Sequence, residues 1–196
     1  MFSGVIVFFW RSKAERSNKS ATEKQLLQQA KMTLVSSFLA KARSFINRYN
    51  PKVMGKKSLI NGVEQQSSHL LKRGVGIQDN KPYLFLNLVT MSIGSLPVAY
   101  INRITILSDG QVEIVWEDNS FNGITMDTYL LSVVLFHPDL EELHICEDVG
   151  QRVDKLGYIS LPNHWTSSII HVWTMWKNSE ETLNSTSVYY QIYSEI

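Results

Sequence analysis

The sequence predicts an α+β chain in which an N-terminal strand and two helices pack with a C-terminal antiparallel β-sandwich. Three observations predict it. Apolar residues recur at helical spacing up to about residue 73, then alternate with polar ones from about residue 83 onward. Turn signals follow at short intervals, with Ser108-Asp109-Gly110, Asn122-Gly123 and His137-Pro138-Asp139 the clearest and Asn178-Ser179 weaker. No helical pattern separates the later strands, so a doubly wound parallel sheet is ruled out. Residues 1–80 then form a strand and a two-helix segment, and residues 81–196 a sandwich of about seven or eight strands.

The first element is an apolar stretch. Val5, Ile6, Val7, Phe8, Phe9 and Trp10 are β-branched or aromatic, the composition of a strand buried on both faces. Arg11, Lys13 and Arg16 follow this run where a secretory signal would place its charges before it, and the run is short for a signal core. Such a strand can pair within its own domain or complete a neighbouring subunit's sheet. Arg11 to Lys19 is polar and reads as a loop.

Ser20-Ala21-Thr22-Glu23 reads as a capping box, a hydroxyl and a carboxylate three residues apart that satisfy free amide donors. One long amphipathic helix is expected from about Ala21 to Tyr49, stopped by Asn50-Pro51. Leu27, Ala30, Leu34, Phe38, Phe45 and Tyr49 lie on its inner face. A second helix is expected from about Ser58 to Arg73, with Leu59, Ile60, Val63, Leu70 and Leu71 inward and Gly74 as a left-handed cap. Strands follow at about 83–91, 100–107, 111–116, 129–136, 143–147, 158–161, 169–177 and 187–193. Trp116, Trp165, Trp173 and Trp176 supply aromatic mass to the core.

Composition excludes several classes. Hydrophobic residues make up 44% and charged residues 19%, the ordinary globular range. No apolar run approaches the roughly 18–20 residues of a bilayer-spanning helix, so no membrane insertion is expected. A single cysteine, Cys146, excludes an internal disulfide framework and a Cys-rich zinc site. The net charge of +1 conceals a split. Residues 1–80 hold 14 Lys/Arg against four acids, a net +10, whereas residues 81–196 hold five against 14, a net −9. This split suits a polyanion partner for the first half, head-to-tail contact between copies, or mutual neutralisation within one fold. The residues that would meet a polyanion are Lys24, Lys31, Lys41, Arg43, Arg48, Lys52, Lys56 and Lys57. Snorkelling lysines on a solvated helix are the simpler account, since no aromatics interleave them.

Little in the sequence points to catalysis. His137 and His144 are seven apart, as are His164 and His171, but that spacing fixes no ligand geometry and no metal is expected. Cys146 reads as a small core residue, because a nucleophile needs a lowered pKa and a paired base. Glu141-Glu142 and Glu147-Asp148 read as an acidic strand edge that discourages edge pairing. Gly74-Val75-Gly76 lacks the third glycine and following helix of a phosphate cradle. The chain is therefore expected to be no enzyme and to hold no cofactor.

Several motifs together resemble a known family. The aromatic strand ending in Trp10-Arg11 and the opening Ala21-Thr22-Glu23-Lys24-Gln25-Leu26 are similar to an uncharacterised Bacteroidota family, a domain of unknown function. Ile93-Gly94-Ser95-Leu96-Pro97, Val115-Trp116-Glu117-Asp118-Asn119 and the finish from Leu161-Pro162 through Val172-Trp173 to Ser185-Thr186-Ser187-Val188-Tyr189 resemble it too. Members usually carry a longer glycine-rich lead and a glycine after the Trp-Arg pair, where this chain has Ser3-Gly4 and Ser12. The resemblance implies a C-terminal part like fibronectin-type or immunoglobulin-like modules and implies no catalytic residues. The expected function is a non-enzymatic structural or interaction subunit, cytoplasmic or part of an exported or assembled particle. Copies would meet as a homo-oligomer, basic half against acidic sandwich, with Val5–Trp10 paired into the neighbour. The alternative is nucleic-acid binding by the basic helices.

Overall fold

In the computed structural model of the chain, residues 20–120, 125–165 and 169–193 are described. The expected strand Val5–Trp10 and the loop after it lie outside these residues. Helix α1 spans Glu23–Lys41. Its capping box is shifted from the expected one: the Thr22 hydroxyl accepts from the Gln25 amide (3.4 Å), and the Gln25 side chain accepts from the Thr22 amide (2.9 Å). Helical conformation breaks at Ala42, with φ −112° and ψ 17°, and resumes as α2, Arg43–Tyr49. The expected single helix is thus two. Its buried stripe of Val35, Phe38, Leu39, Ala42, Phe45, Ile46 and Tyr49 keeps a seven-residue repeat, which drifts around a straight helix by about 20° per repeat. On both sides of the break these side chains join one buried cluster. Asn50 then closes α2, its amide donating to the carbonyls of Ile46 (2.7 Å) and Met91 (2.9 Å).

Between α2 and the next helix lies a short hairpin, β1 (Val53–Met54) and β2 (Leu59–Ile60), where helix was expected from Ser58. Helix α3 (Gly62–His69) starts only after Asn61, which caps it reciprocally with Glu64, and runs into a π-helical turn at Leu70–Gly74. Gly74 sits in that turn without the left-handed conformation expected of it. Gly62 lets α3 approach α2 closely, since a Cβ there would stand 2.6 Å from the Ile46 carbonyl oxygen. Strands β3 (Val75–Gln78) and β4 (Lys81–Leu84) form a second hairpin around Asp79 and Asn80. Both have positive φ, 50° and 60°, as a type I′ turn requires. The expected strand at 83–91 is therefore mostly replaced by β4, a short 3₁₀ turn at Leu86–Leu88 and extended chain.

The remaining strands are antiparallel. β5 (Ile101–Ile106), β6 (Gln111–Trp116) and β9 (Leu156–Ser160) pair in the order β5-β6-β9. β7 (Leu130–His137), β8 (Glu142–Cys146), β10 (Ile169–Lys177) and β11 (Val188–Tyr193) pair in the order β11-β10-β7-β8. Two apolar clusters divide the two faces of the four-stranded sheet. Leu131, Val133 and Leu135 of β7 and Ile170, Val172 and Trp176 of β10 pack with Val112, Ile114 and Trp116 of β6 and with Ile159 of β9. Val134, Phe136, Trp173 and Met175 on the opposite face pack against Phe38, Leu39, Phe45 and Ile46 of the helices. Each sheet strand reads accordingly. β6 alternates because one face is covered, whereas β7 and β10 are apolar almost throughout because both are. Trp116 and Trp176 meet edge-on at 5.5 Å between the sheets. Trp173 ties the other face down, its indole donating to the Val89 carbonyl (2.9 Å).

Candidate functional site

Two charged regions stand out, one internal and one on the surface. At the end of β10, Lys177 is only 2% exposed, yet its ammonium reaches Glu181 (2.7 Å), Glu147 (2.8 Å) and Asp148 (3.1 Å). The Tyr49 hydroxyl sits among them, 2.8 Å from Glu147 and 3.0 Å from Glu181 as donor, and accepts from Lys177 (3.3 Å). Burial pushes Tyr49 up to about 12, so the phenol stays protonated. Burial also works against the Lys177 charge, but its carboxylate partners outweigh this and raise its pKa. Arg48 adds pairs to Glu147 (3.3 Å) and Glu181 (3.5 Å), and Lys41 pairs with Glu141 (3.3 Å). Part of the charge split is thus neutralised inside one chain, helices against sheet. This junction holds α2 on the four-stranded sheet; every one of its polar groups is engaged with the others, which suits a clamp.

The surface region is the cationic side of the helical layer. The β1–β2 hairpin turns through Lys56-Lys57, with the Gly55 amide bonded to the Ser58 carbonyl (2.9 Å). Met54 and Leu59 are cross-strand partners and both are exposed, Met54 to 78%. Beside the hairpin, Ser58, Ile60, Glu64, His69, Lys72 and Arg73 border an open groove of about 660 Å³. Among the described residues, Lys52, Lys56, Lys57, Lys72 and Arg73 make no ion pair. The arrangement can therefore present positive charge and apolar surface together to a partner.

Of the groups weighed for chemistry, His137, His144 and His164 gather around Trp165 with Glu142, while His171 lies on the opposite face of the sheet. His137 is buried against the Trp165 ring and accepts a hydrogen bond from the Leu140 amide (3.2 Å). His164 lies 2.5 Å from Glu142, which also accepts from the Trp165 indole (2.9 Å). His171 stands on the other face of the sheet with the Tyr189 hydroxyl (2.7 Å), and burial lowers its pKa. Burial raises the Cys146 thiol to about 11, the opposite of what a nucleophile needs. Among the described residues, no three His, Cys, Asp or Glu side chains are grouped to hold a metal ion. No described helix is long and apolar enough to cross a membrane.

The model of a family of unknown function, DUF6266, matches residues 3–191. The chain belongs to that family. No curated protein matches it. In this DUF6266 chain the eight cations singled out in the sequence separate into two sets. Lys41 and Arg48 face the acidic strand ends and are paired, whereas Lys24, Arg43, Lys52, Lys56 and Lys57 are exposed and Lys31 is half-buried. Sequence reasoning missed Lys177, which reads as an ordinary strand-end lysine. Its only signal is that one cation stands among Glu147, Asp148, Glu180 and Glu181 in an acidic region.

Proposed function

We propose that this chain is a non-enzymatic structural or interaction subunit that self-assembles, with Val5–Trp10 pairing into a neighbour's sheet. The observation that carries the reading is the unneutralised remainder of the charge split. Eight cations on the helical layer, Lys24, Lys31, Arg43, Lys52, Lys56, Lys57, Lys72 and Arg73, make no ion pair among the described residues, and exposed apolar side chains accompany those of the hairpin. A surface of mixed apolar and single-sign character suits association with a complementary surface. The strand orders support reading the two facing sheets as a fibronectin-like sandwich. Taken as A, B, C, C′, E, F and G, strands β5 to β11 fall into A-B-E and G-F-C-C′. Modules of this type offer edges and loops for binding. Measuring particle size across a concentration series tests the proposal, on the full chain and on one lacking residues 1–10. Assembly of the full chain at low salt, lost on truncation of a still-folded chain, is the expected result. A full chain that stays monomeric at high concentration overturns it.

A second reading rests on the groove that His69, Lys72 and Arg73 border: a polyanion lying along it toward Lys56 and Lys57. Binding of DNA or RNA that falls steeply with added salt, without self-association, favours this alternative.

A further inference from the structure

We infer that the β1–β2 hairpin of one copy docks on the acidic end of the three-stranded sheet of a second copy. This inference rests on the self-assembly reading and names the two surfaces that meet. The first surface is the hairpin, with Lys52, Lys56 and Lys57 around the exposed Val53, Met54 and Leu59. The second gathers where β6 ends and β9 begins. There the Glu117 amide donates to the Tyr100 carbonyl (2.9 Å), the Trp116 amide to the Lys155 carbonyl (3.0 Å) and the Val153 amide to the Asp127 carbonyl (3.3 Å), bringing four chain segments together. Tyr100 and Met126 are 69% and 62% exposed on this end, and Val98 and Val153 are exposed beside them. Glu117, Asp118, Asp127 and Asp154 carry its negative charge, with Lys155 exposed among them and the buried Arg152 behind Asp118. Asp118 and Asp154 hold local backbone amides, of Ser120 (2.9 Å) and Gln151 (2.6 Å). Glu117 and Asp127 make no ion pair among the described residues.

The end is also built rigidly enough to serve as a platform. Behind it the fully buried Arg152 lies 4.5 Å over the Trp176 ring, and its guanidinium bonds to the side chain of Asn119 and the carbonyl of Pro97. Asn119 in turn donates to the Val98 carbonyl (2.9 Å). Preformed backbone lowers the ordering cost of association.

Both surfaces combine exposed apolar side chains with charge, and the charges are opposite. They cannot close on each other in one molecule, because the four-stranded sheet lies between the helical layer and the three-stranded sheet. None of Lys52, Lys56, Lys57, Glu117 and Asp127 forms an ion pair within the chain among the described residues, so both charge sets are left open to a partner. A contact between different surfaces on the two copies is heterologous, so it generates rings or open filaments.

Charge reversal in complementary pairs tests the docking. Sedimentation velocity would be run at low salt on the full chain, on K56E/K57E, on E117K/D127K and on an equimolar mixture of the two variants. All four positions are exposed, and circular dichroism checks that each variant is folded. Each variant alone is expected to need at least about tenfold more protein to assemble, while the mixture recovers assembly through reversed and native contacts alike. Assembly of the unaltered chain should also weaken between about 0.05 and 0.5 M salt, which requires no variant at all. Variants that assemble as the unaltered chain does overturn this docking and leave self-assembly standing. Folded variants whose mixture stays dispersed overturn it as well. An unaltered chain that never assembles overturns both readings.

Discussion

Lys177 shows how one residue can decide the attachment of a whole layer. Its ammonium is buried beside partly exposed carboxylates, so the pair energy is that of a half-screened cluster and well below that of a dry interior pair. Lys177→Met keeps the volume and removes the charge, leaving Glu147 and Glu181 with Arg48 and Tyr49 alone. At neutral pH this should cost about 2–3 kcal/mol of stability by denaturant unfolding. The acid limb carries the diagnostic. Burial pushes Glu147 up, but bonds from Lys177 and Tyr49 outweigh it and hold the carboxyl below its usual range; at Glu181 the Lys177 bond is the main cause. A depressed carboxyl stabilises the fold above its unfolded pKa, about 4.3 for Glu, and that contribution disappears as pH falls through the folded value. Lys177 is raised, so its own contribution is complete below about 10.4 and is lost only in strong alkali. Stability of the unaltered chain should therefore drop below about pH 4, and the gap to Lys177→Met should shrink there. A gap that stays constant with pH would assign the loss to packing alone.

At the scale of elements, the strands that bury a regular face were legible and the short irregular ones were not. Gln111–Trp116 alternates apolar and polar residues without a break, and its strand falls on those six positions. Ile169–Lys177 was legible as a strand for the opposite reason, an apolar run too rich in β-branched and aromatic residues for a helix. The β1–β2 hairpin escaped because each strand is two residues long, and Leu59 and Ile60 happen to continue the helical spacing of Val63 and Leu70. A helix starting at Ser58 also ignores Asn61, whose capping box with Glu64 marks the true start. The Asp79-Asn80 turn was missed in the same way: both residues tolerate positive φ, yet no glycine advertised the turn. The cationic surface was thus visible as a list of lysines, while its shape depended on a hairpin that periodicity could not show. The α2–α3 contact gives an element-scale prediction. Gly62→Ala would place a methyl 2.6 Å from the Ile46 carbonyl oxygen and 2.7 Å from the Asn50 Cβ, forcing the helices apart. A loss of about 1–3 kcal/mol is expected, measured as a lower denaturation midpoint with unchanged slope. Unchanged stability would mean that α3 can shift without cost.

For the whole molecule the question is whether residues 1–80 and 81–196 behave as two units or one. The charge split and the change of period suggest two, but the packing crosses the boundary at three places. The β3–β4 hairpin spans residues 75–84, so residue 80 lies within its turn. Val89 and Met91, from the C-terminal side, are buried with Val35, Leu39 and Ile46. The Lys177 junction then ties Tyr49 and Arg48 to β10 and to the chain after β8. Removing the helices would leave Val134, Phe136, Trp173 and Met175 facing water on one side of the four-stranded sheet. Fully burying a large apolar side chain is worth about 1.5–3 kcal/mol, so losing four of them takes away about 6–12 kcal/mol, comparable with the whole stability of a domain. The interlayer cluster around Trp116 and Trp176 would remain, but a sheet with one face stripped is an exposed apolar patch. A fragment of residues 81–196 is therefore expected to aggregate or to bind a hydrophobic dye strongly. The complete chain should melt in a single calorimetric transition, with calorimetric and van't Hoff enthalpies equal. Trp173 packs on the helix side and Trp116 between the sheets, so the near-ultraviolet aromatic signal, which both contribute to, should be lost in that one transition without a separate step. Two resolved transitions, or a soluble fragment with native-like tryptophan signals, would show instead that the helical layer is an appendage and that assembly surfaces on it move independently of the sheets.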